Sequence, residues 1–203
     1  LKSLAVSLLL ATAAPLALPA SGAEVTLRVQ HFLPPNSATQ VDLLEPWKAK
    51  LEQDSGGRIA VEIYPLMQLG GKAPQLYDQA RDGVVDVVWT LPGYSAGRFP
   101  IASVFELPFM SGNAETNSQA VEEFGELYLQ QEFGEVHPLL WHAHGPGEIH
   151  VREKEINKME DMAGLKIRAP SRLIGEALEA LGATAVFMPV PQVPEQISKG
   201  VID

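Results

Sequence analysis

The sequence predicts an α/β fold, because segments with the two-residue period of a strand alternate with segments that have the spacing of a helix. The strand-like segments lie at residues 25–32, 59–64, 84–89 and 165–168. Helical spacing occurs at residues 43–51, 74–82, 113–133 and 172–181. Strands that alternate with helices in this way indicate βαβ units, so we expect parallel sheets.

The first strand alternates Val25, Leu27 and Val29 with polar residues, and a pair of prolines then ends it. The helix that follows has Asn36 or Ser37 as candidate N-cap residues. Pro46 lies inside that helix and predicts a kink, since proline cannot donate a helical hydrogen bond.

The third strand, residues 84–89, is almost continuously apolar, which predicts burial on both faces. Farther along the chain, residues 136–142 and 148–152 also have strand-like patterns. They lie on either side of a Gly-Pro-Gly turn at residues 145–147, which is the best local candidate for a domain boundary.

The charge of the chain restricts its partners. The chain has 15 basic and 25 acidic residues, which give a formal net charge of −10. Nucleic acid and anionic membrane surfaces are therefore unfavourable partners, and an anionic ligand would have to be captured by local positive groups. The chain has no cysteine, which excludes disulfides, thiolate metal sites and cysteine nucleophiles.

Residues 1–23 have the layout of a secretory signal peptide, with one lysine near the start, an apolar run and small residues at the end. We expect cleavage after about Ala23. Pro15 and Pro19 interrupt the apolar run, which argues against a membrane anchor. The mature chain is thus predicted to be exported, without stable membrane insertion.

The strongest local signal is the segment Gly-Leu-Lys-Ile-Arg-Ala-Pro at residues 164–170, followed by an amphipathic helix. Its alternation places Arg168 at the carboxyl end of a strand and beside a helix N-terminus. Ligands of open α/β sheets bind at such ends, and a guanidinium fork matches a carboxylate. We therefore predict a site for a small organic anion.

The same segment carries a family resemblance. With its flanks at residues 156–163, 180–183, 188–189 and 199–203, and with upstream segments such as Phe-Glu-Leu-Pro-Phe at 105–109, it resembles the DctP-type solute-binding proteins of tripartite ATP-independent periplasmic (TRAP) transporters. The resemblance implies a two-lobed, periplasmic-binding-protein-like α/β fold with parallel-rich sheets. It also implies that the chain is a fragment: residues 24–145 would form the first lobe, and residues 146–203 the start of a truncated second lobe.

The resemblance further implies a function. The protein would bind a small carboxylate and deliver it to the small and large membrane permease subunits of a TRAP transporter, for uptake driven by an ion gradient. No cofactor and no enzymatic activity are expected. Many members carry a second arginine about twenty residues before the motif, but this chain has none there, which favours a small monocarboxylate.

Within the resemblance, Arg168 would pair with the ligand carboxylate. The other candidate ligand-binding residues lie in loops at predicted strand ends or open the following helix: Phe32, Asn36, Trp89, Tyr94, His144, Ser171, Arg172 and Phe187. Phe32 and Trp89 could equally be packed in the core, and Ser171 and Arg172 could be a helix cap and a solvent-exposed residue of the first turn.

Two alternatives stay open. A secreted α/β enzyme could act on a small acid, with metal held by His142 and His144, which would share one side of a strand, and by His31. No nucleophile elbow, P-loop, dinucleotide fingerprint or zinc-protease motif supports an enzyme. The second alternative is a sensor that passes its ligand signal to a membrane receptor.

Overall fold

The computed structural model describes residues 22–110 and 112–203. Most of the predicted signal peptide, residues 1–21, therefore lies outside the described residues. In chain order, the strands and α-helices are β1 (Val25–His31), α1 (Glu45–Asp54), β2 (Ile59–Tyr64), α2 (Leu76–Arg81), β3 (Val87–Trp89), α3 (Ala114–Phe124), β4 (Lys166–Ala169), α4 (Arg172–Ala180), β5 (Thr184–Phe187) and α5 (Val193–Ser198). Strands and helices alternate, as the sequence predicts.

The first sheet contains three strands in the order β2-β1-β3, and both pairings are parallel. Val29 of β1 lies opposite Ile63 of β2 and Val87 of β3, so β1 is the central strand. Val29 and Val61 are buried with Leu44 against the helical segment that connects β1 to β2. The connections therefore form the predicted βαβ units.

The second sheet contains β4 and β5, which are parallel and in register from Lys166 opposite Thr184 to Ala169 opposite Phe187. Helix α4 connects them and buries Leu178 against Leu165 and Ile167. Apolar residues of the alternating strand thus face the helix, and this packing fixes where Arg168 lies.

The helix before β2 differs from a simple kinked α-helix. Residues Thr39–Leu44 form a π-helical segment that continues directly into α1, and Pro46 occupies the first turn of α1. Because the helical region is continuous through this point, the missing N–H of Pro46 leaves one helical hydrogen bond unmade at the junction of the two segments. The N-cap residue is Ala38 and neither Asn36 nor Ser37, although the Ser37 hydroxyl one residue earlier accepts a hydrogen bond from the backbone N–H of Gln40.

Helix α3 begins after Asn113, whose side chain accepts a hydrogen bond from the backbone N–H of Thr116. A π-helical segment, Gly125–Leu129, extends it. A methyl group at position 125 would overlap the Trp141 ring. Glycine at this position therefore allows residues near 141 to pack closely on the helix.

Three strand predictions are corrected by the structure. Residues 136–142 and 148–152 form no strand. Near the end of the first segment, side chains take the place of a neighbouring strand. The N–H of Trp141 donates to Glu122, and the N–H of Ala143 donates to Ser118, both on α3. The third strand is shorter than predicted and half-buried, and Val84 is 49% exposed, because residues 83–86 form a turn instead.

Candidate functional site

The ends of the two sheets approach each other through the loops that follow β3, β4 and β5. The loop after β3 contains the 3₁₀ turn Pro92–Tyr94, and the loop after β5 contains the turn Val190–Gln192. Hydrogen bonds of Tyr94 reach both Arg168 and Val190. These loops are at the carboxyl ends of parallel strands, where an α/β protein binds its ligands.

Arg168 is held by two neutral acceptors. Its Nε donates to the backbone oxygen of Met188 at 2.9 Å, and its Nη2 donates to the Tyr94 hydroxyl at 3.2 Å. The sequence has seven arginines, and the other six each have a carboxylate oxygen within 4.0 Å. Among residues 22–110 and 112–203, Arg168 has none. It is half-buried, so its charge is available to an anion and partly shielded from water.

Tyr94 connects the two sheets. Its hydroxyl oxygen accepts from Arg168 and also from the backbone N–H of Val190, at 3.0 Å. Because both lone pairs are used in this way, the hydroxyl proton is left to donate. Tyr94 is 9% exposed and packs on Phe32, with 5.2 Å between ring centroids.

Ser171 is the N-cap of α4, and its side chain accepts a hydrogen bond from the N–H of Ile174. The same hydroxyl donates to the carboxylate of Glu106, in the 3₁₀ segment Ala102–Glu106. Arg172 instead pairs with Glu176 one turn along α4, at 2.7 Å, and its side chain is 74% exposed. The structure therefore brings Ser171 to the contact between the sheets and gives Arg172 a partner on its own helix.

The predicted aromatic residues form one cluster. Phe32 is 1% exposed and lies 5.2 Å from Trp89 as well as from Tyr94, measured between ring centroids. Phe32 therefore supports the other two rings from the core, while Trp89 stays half-buried. The cluster gives the site an apolar wall beside the Arg168 charge, a combination suited to an aromatic or aliphatic acid.

His142, which entered the sequence analysis only as a metal candidate, belongs to this cluster. Its Nε2 accepts from the indole N–H of Trp89 at 2.7 Å, so its own proton is on Nδ1. Partial burial is the main cause that lowers the pKa of His142, and the nearby His144 lowers this pKa further. The bond to Trp89 requires the neutral ring, and the lowered pKa favours it.

The predicted pairing of His142 and His144 on one face of a strand is wrong, because no strand forms there. His144 is exposed, and its Nδ1 lies 2.6 Å from the oxygen of Gly145. His31 is fully buried and contacts Gln40 and the N–H of Leu33. In the described part of the chain, no cluster of three or more His, Cys, Asp or Glu residues is arranged to hold a metal ion.

Asn36 and Phe187 lie at the edge of the candidate site. Asn36 is exposed in the turn after β1, and Phe187 is 56% exposed at the end of β5, with its ring over Gly175 of α4. The sequence analysis did not predict Glu106, Met188 or Val190 at the contact. Met188 and Val190 contribute backbone groups, which no side-chain pattern reveals.

Comparison with known proteins identifies the family. The family model for bacterial extracellular solute-binding proteins, family 7 (DctP), matches residues 29–203. The chain belongs to this family. The predicted α/β, two-lobed periplasmic-binding-protein fold is thereby confirmed, and within the described residues no helix has the length and apolar character needed to cross a membrane.

Solved structures of TRAP solute-binding proteins share the fold. A protein from Rhodoferax ferrireducens T118, in complex with copurified benzoate, is 48% identical with a TM-score of 0.85, over 88% of this chain and 55% of that one. A marine metagenome protein specific for aromatic acid ligands, with 3-hydroxybenzoate, is 48% identical with a TM-score of 0.87, over 90% of this chain and 57% of that one.

Among curated proteins, the ectoine-binding periplasmic protein TeaA of Halomonas elongata is 28% identical over 153 residues, which are 70% of this chain and 43% of TeaA. The chain spans about half the length of the curated relatives it matches. The DctP family is thus one of extracellular solute-binding proteins, and the relative from Rhodoferax ferrireducens is a TRAP solute-binding protein.

Proposed function

We propose that this chain is the ligand-capturing part of a periplasmic TRAP solute-binding protein that takes up a small aromatic carboxylate. The protein binds its ligand without turnover and delivers it to the small and large subunits of a membrane permease. The benzoate and 3-hydroxybenzoate complexes of relatives with 48% identity support an aromatic acid. The DctP family assignment supports the transport role.

The observation that carries the proposal is the state of Arg168. A half-buried guanidinium without a carboxylate partner in the described residues is costly unless a ligand supplies the anion. Two of its donors already have fixed acceptors, Met188 and Tyr94, so the fork is oriented before the ligand arrives. Preorganisation of this kind increases affinity because less side-chain freedom is lost on binding.

The neighbouring aromatic cluster suits the ring of such a ligand. Tyr94 can donate its hydroxyl proton to the same carboxylate, and Trp89 is held in place by His142. A ligand that contacts Arg168 on the second sheet and Tyr94 or Trp89 on the first stabilises the arrangement in which the two lobes are close. Ligand binding thus favours the closed form, as expected when its contacts are better there.

The direct test is the variant Arg168→Gln in the full-length protein, with benzoate as the probe. Isothermal titration calorimetry should show a Kd at least about 100-fold higher than for the unsubstituted protein, because a charge-assisted pair is lost. Arg58→Gln is the matched control, since Arg58 is 68% exposed and its nearest carboxylate is 3.9 Å away. Unchanged benzoate affinity in Arg168→Gln would refute the proposal.

Three further measurements separate this function from its alternatives. Benzoate recovered unchanged after long incubation supports binding without turnover, whereas a product would favour the enzyme. Export is tested by the N-terminal sequence of the protein from a periplasmic extract, which should begin at Glu24. Ligand-dependent capture of permease subunits supports transport, and capture of a receptor in their place would favour the sensor.

A further inference from the structure

Glu106 lies where the loop after β3 meets Ser171, the N-cap of α4, three positions after Arg168 in the chain. The Ser171 hydroxyl donates to Glu106 Oε2 from the start of α4. On the other side, the Glu106 carboxylate lies against Gly93, where a methyl group would overlap Oε1 and approach the Ser171 Cβ to 3.1 Å. Glu106 therefore lies between Gly93, which precedes Tyr94, and Ser171.

The Glu106 carboxylate has no ionic partner among the described residues. It is half-buried, and no lysine, arginine or histidine nitrogen of the described residues lies within 4.0 Å of it. Among the same residues, Arg168 has no carboxylate within this distance. One positive and one negative group, each without an ionic partner, thus lie between the same two backbone segments, residues 93–94 and 168–171.

We propose that Glu106 is a specificity-determining residue that restricts the ligand to a single carboxylate. This inference rests on the proposed function, in which Arg168 binds the first carboxylate. A second carboxylate on the ligand would approach the Glu106 charge in a cleft partly shielded from water, where like charges repel strongly. A neutral ring or hydroxyl group meets no such repulsion.

Ser171 strengthens the discrimination. Its hydroxyl proton and the start of α4 could otherwise attract an anion, since helix N-termini favour negative charge. Glu106 uses that hydroxyl as its own donor and places its own negative charge at this end of the helix. The site therefore rejects the dicarboxylate by repulsion, and this is one of the two general routes to specificity.

The test compares benzoate with isophthalate, which has the same ring with a second carboxylate, in the full-length protein. Glutamine keeps the size of glutamate and an acceptor for Ser171, so Glu106→Gln removes the charge with little change of shape. We expect the ratio of the isophthalate Kd to the benzoate Kd to fall by about 10-fold or more in Glu106→Gln. The Kd for benzoate itself should change by a smaller factor than the ratio of the two Kd values does. Glu123→Gln, an exposed position on α3, controls for the change in net charge.

The outcomes distinguish the two proposals. If the unsubstituted protein binds no benzoate, the proposed function fails and this inference fails with it. If benzoate binds but the ratio stays the same in Glu106→Gln, or falls equally in Glu123→Gln, the role of Glu106 is refuted while the proposed function stands. Equal affinity of the unsubstituted protein for both acids would also refute the role of Glu106. Thermal melting of Glu106→Gln in the absence of ligand verifies that the variant is folded.

Discussion

Arg168 and Tyr94 lie 74 residues apart in the chain, yet the Nη2 of Arg168 donates to the Tyr94 hydroxyl at 3.2 Å. The arginine extends from the second sheet and the tyrosine from the loop after the first. The same hydroxyl accepts from the N–H of Val190, so it joins three segments of the chain. The predicted ligand-binding arginine is thus oriented by a residue of the loop that follows the first sheet.

Tyr94→Phe should weaken binding of benzoate about 10-fold, because the phenol no longer orients Arg168 or donates to the ligand. We also expect a loss of about 1–2 kcal/mol in the free energy of unfolding, since the Val190 N–H and one Arg168 donor lose their acceptor. Calorimetry and urea denaturation measure the two effects. Tyr128→Phe removes a hydroxyl from a tyrosine that is 57% exposed and should change neither. Full benzoate affinity in Tyr94→Phe would contradict the role of the hydroxyl.

Gly93→Ala should reduce benzoate affinity by about 3- to 10-fold, because the new methyl group displaces Glu106 and separates the loop after β3 from Ser171. The shift in melting temperature that benzoate produces measures this loss of ligand stabilisation. Gly145→Ala is the control, since a methyl group at position 145 meets nothing within 4 Å. Equal ligand-induced shifts in both variants would show that close contact at position 93 is unimportant for binding.

His31 should make the protein less stable in acid. Burial lowers the pKa of His31, more than its hydrogen bond with Gln40 raises it. The unfolded chain therefore takes up a proton below about pH 6.5 that the folded protein does not take up readily, so stability falls as the pH decreases through this window. Protonation at Nδ1 would also break the hydrogen bond from the Leu33 N–H.

The variant His31→Gln should be less stable at pH 8, since it changes a buried contact, but it should lose stability less steeply between pH 6.5 and pH 5. The slope attributable to one proton is at most about 1.4 kcal/mol per pH unit. Urea denaturation at several pH values measures it, with His150→Gln as control because the His150 side chain is 86% exposed. Identical slopes in His31→Gln and the unsubstituted protein would contradict this assignment.

Arg98→Lys should destabilise the fold by about 1–2 kcal/mol without changing benzoate affinity. The two outer nitrogens of Arg98 bind Asp78 at 2.6 Å and Glu135 at 3.0 Å, and its guanidinium lies 4.1 Å from the centre of the Tyr77 ring. A lysine cannot reproduce this fork. Arg58→Lys, at an exposed pair, should change stability by less than about 0.5 kcal/mol in the same urea titration. Equal effects in both variants would refute the special role of Arg98.

Local patterns were sufficient to predict the parallel sheets and the position of Arg168. The alternation of Leu165 and Ile167 with Lys166 and Arg168 determines which side chains face α4, because neighbours on a strand point to opposite faces. The same argument was wrong for residues 136–142. Their alternation is real, but a strand exists only where another strand pairs with it. Here the N–H of Trp141 bonds to Glu122 of α3, and the N–H of Ala143, just after the segment, bonds to Ser118 of α3.

By itself, the sequence determined the fold class, the family and the arginine most suited to a carboxylate, because all three depend on residue types and their local spacing. Only the tertiary structure showed that Tyr94 holds this arginine, that His142 holds Trp89, and that Glu106 lies against Ser171 and Gly93. These contacts join residues between 13 and 74 positions apart in the chain. Such proximity follows from how the loops and helices pack around the two sheets, which local periodicity does not encode.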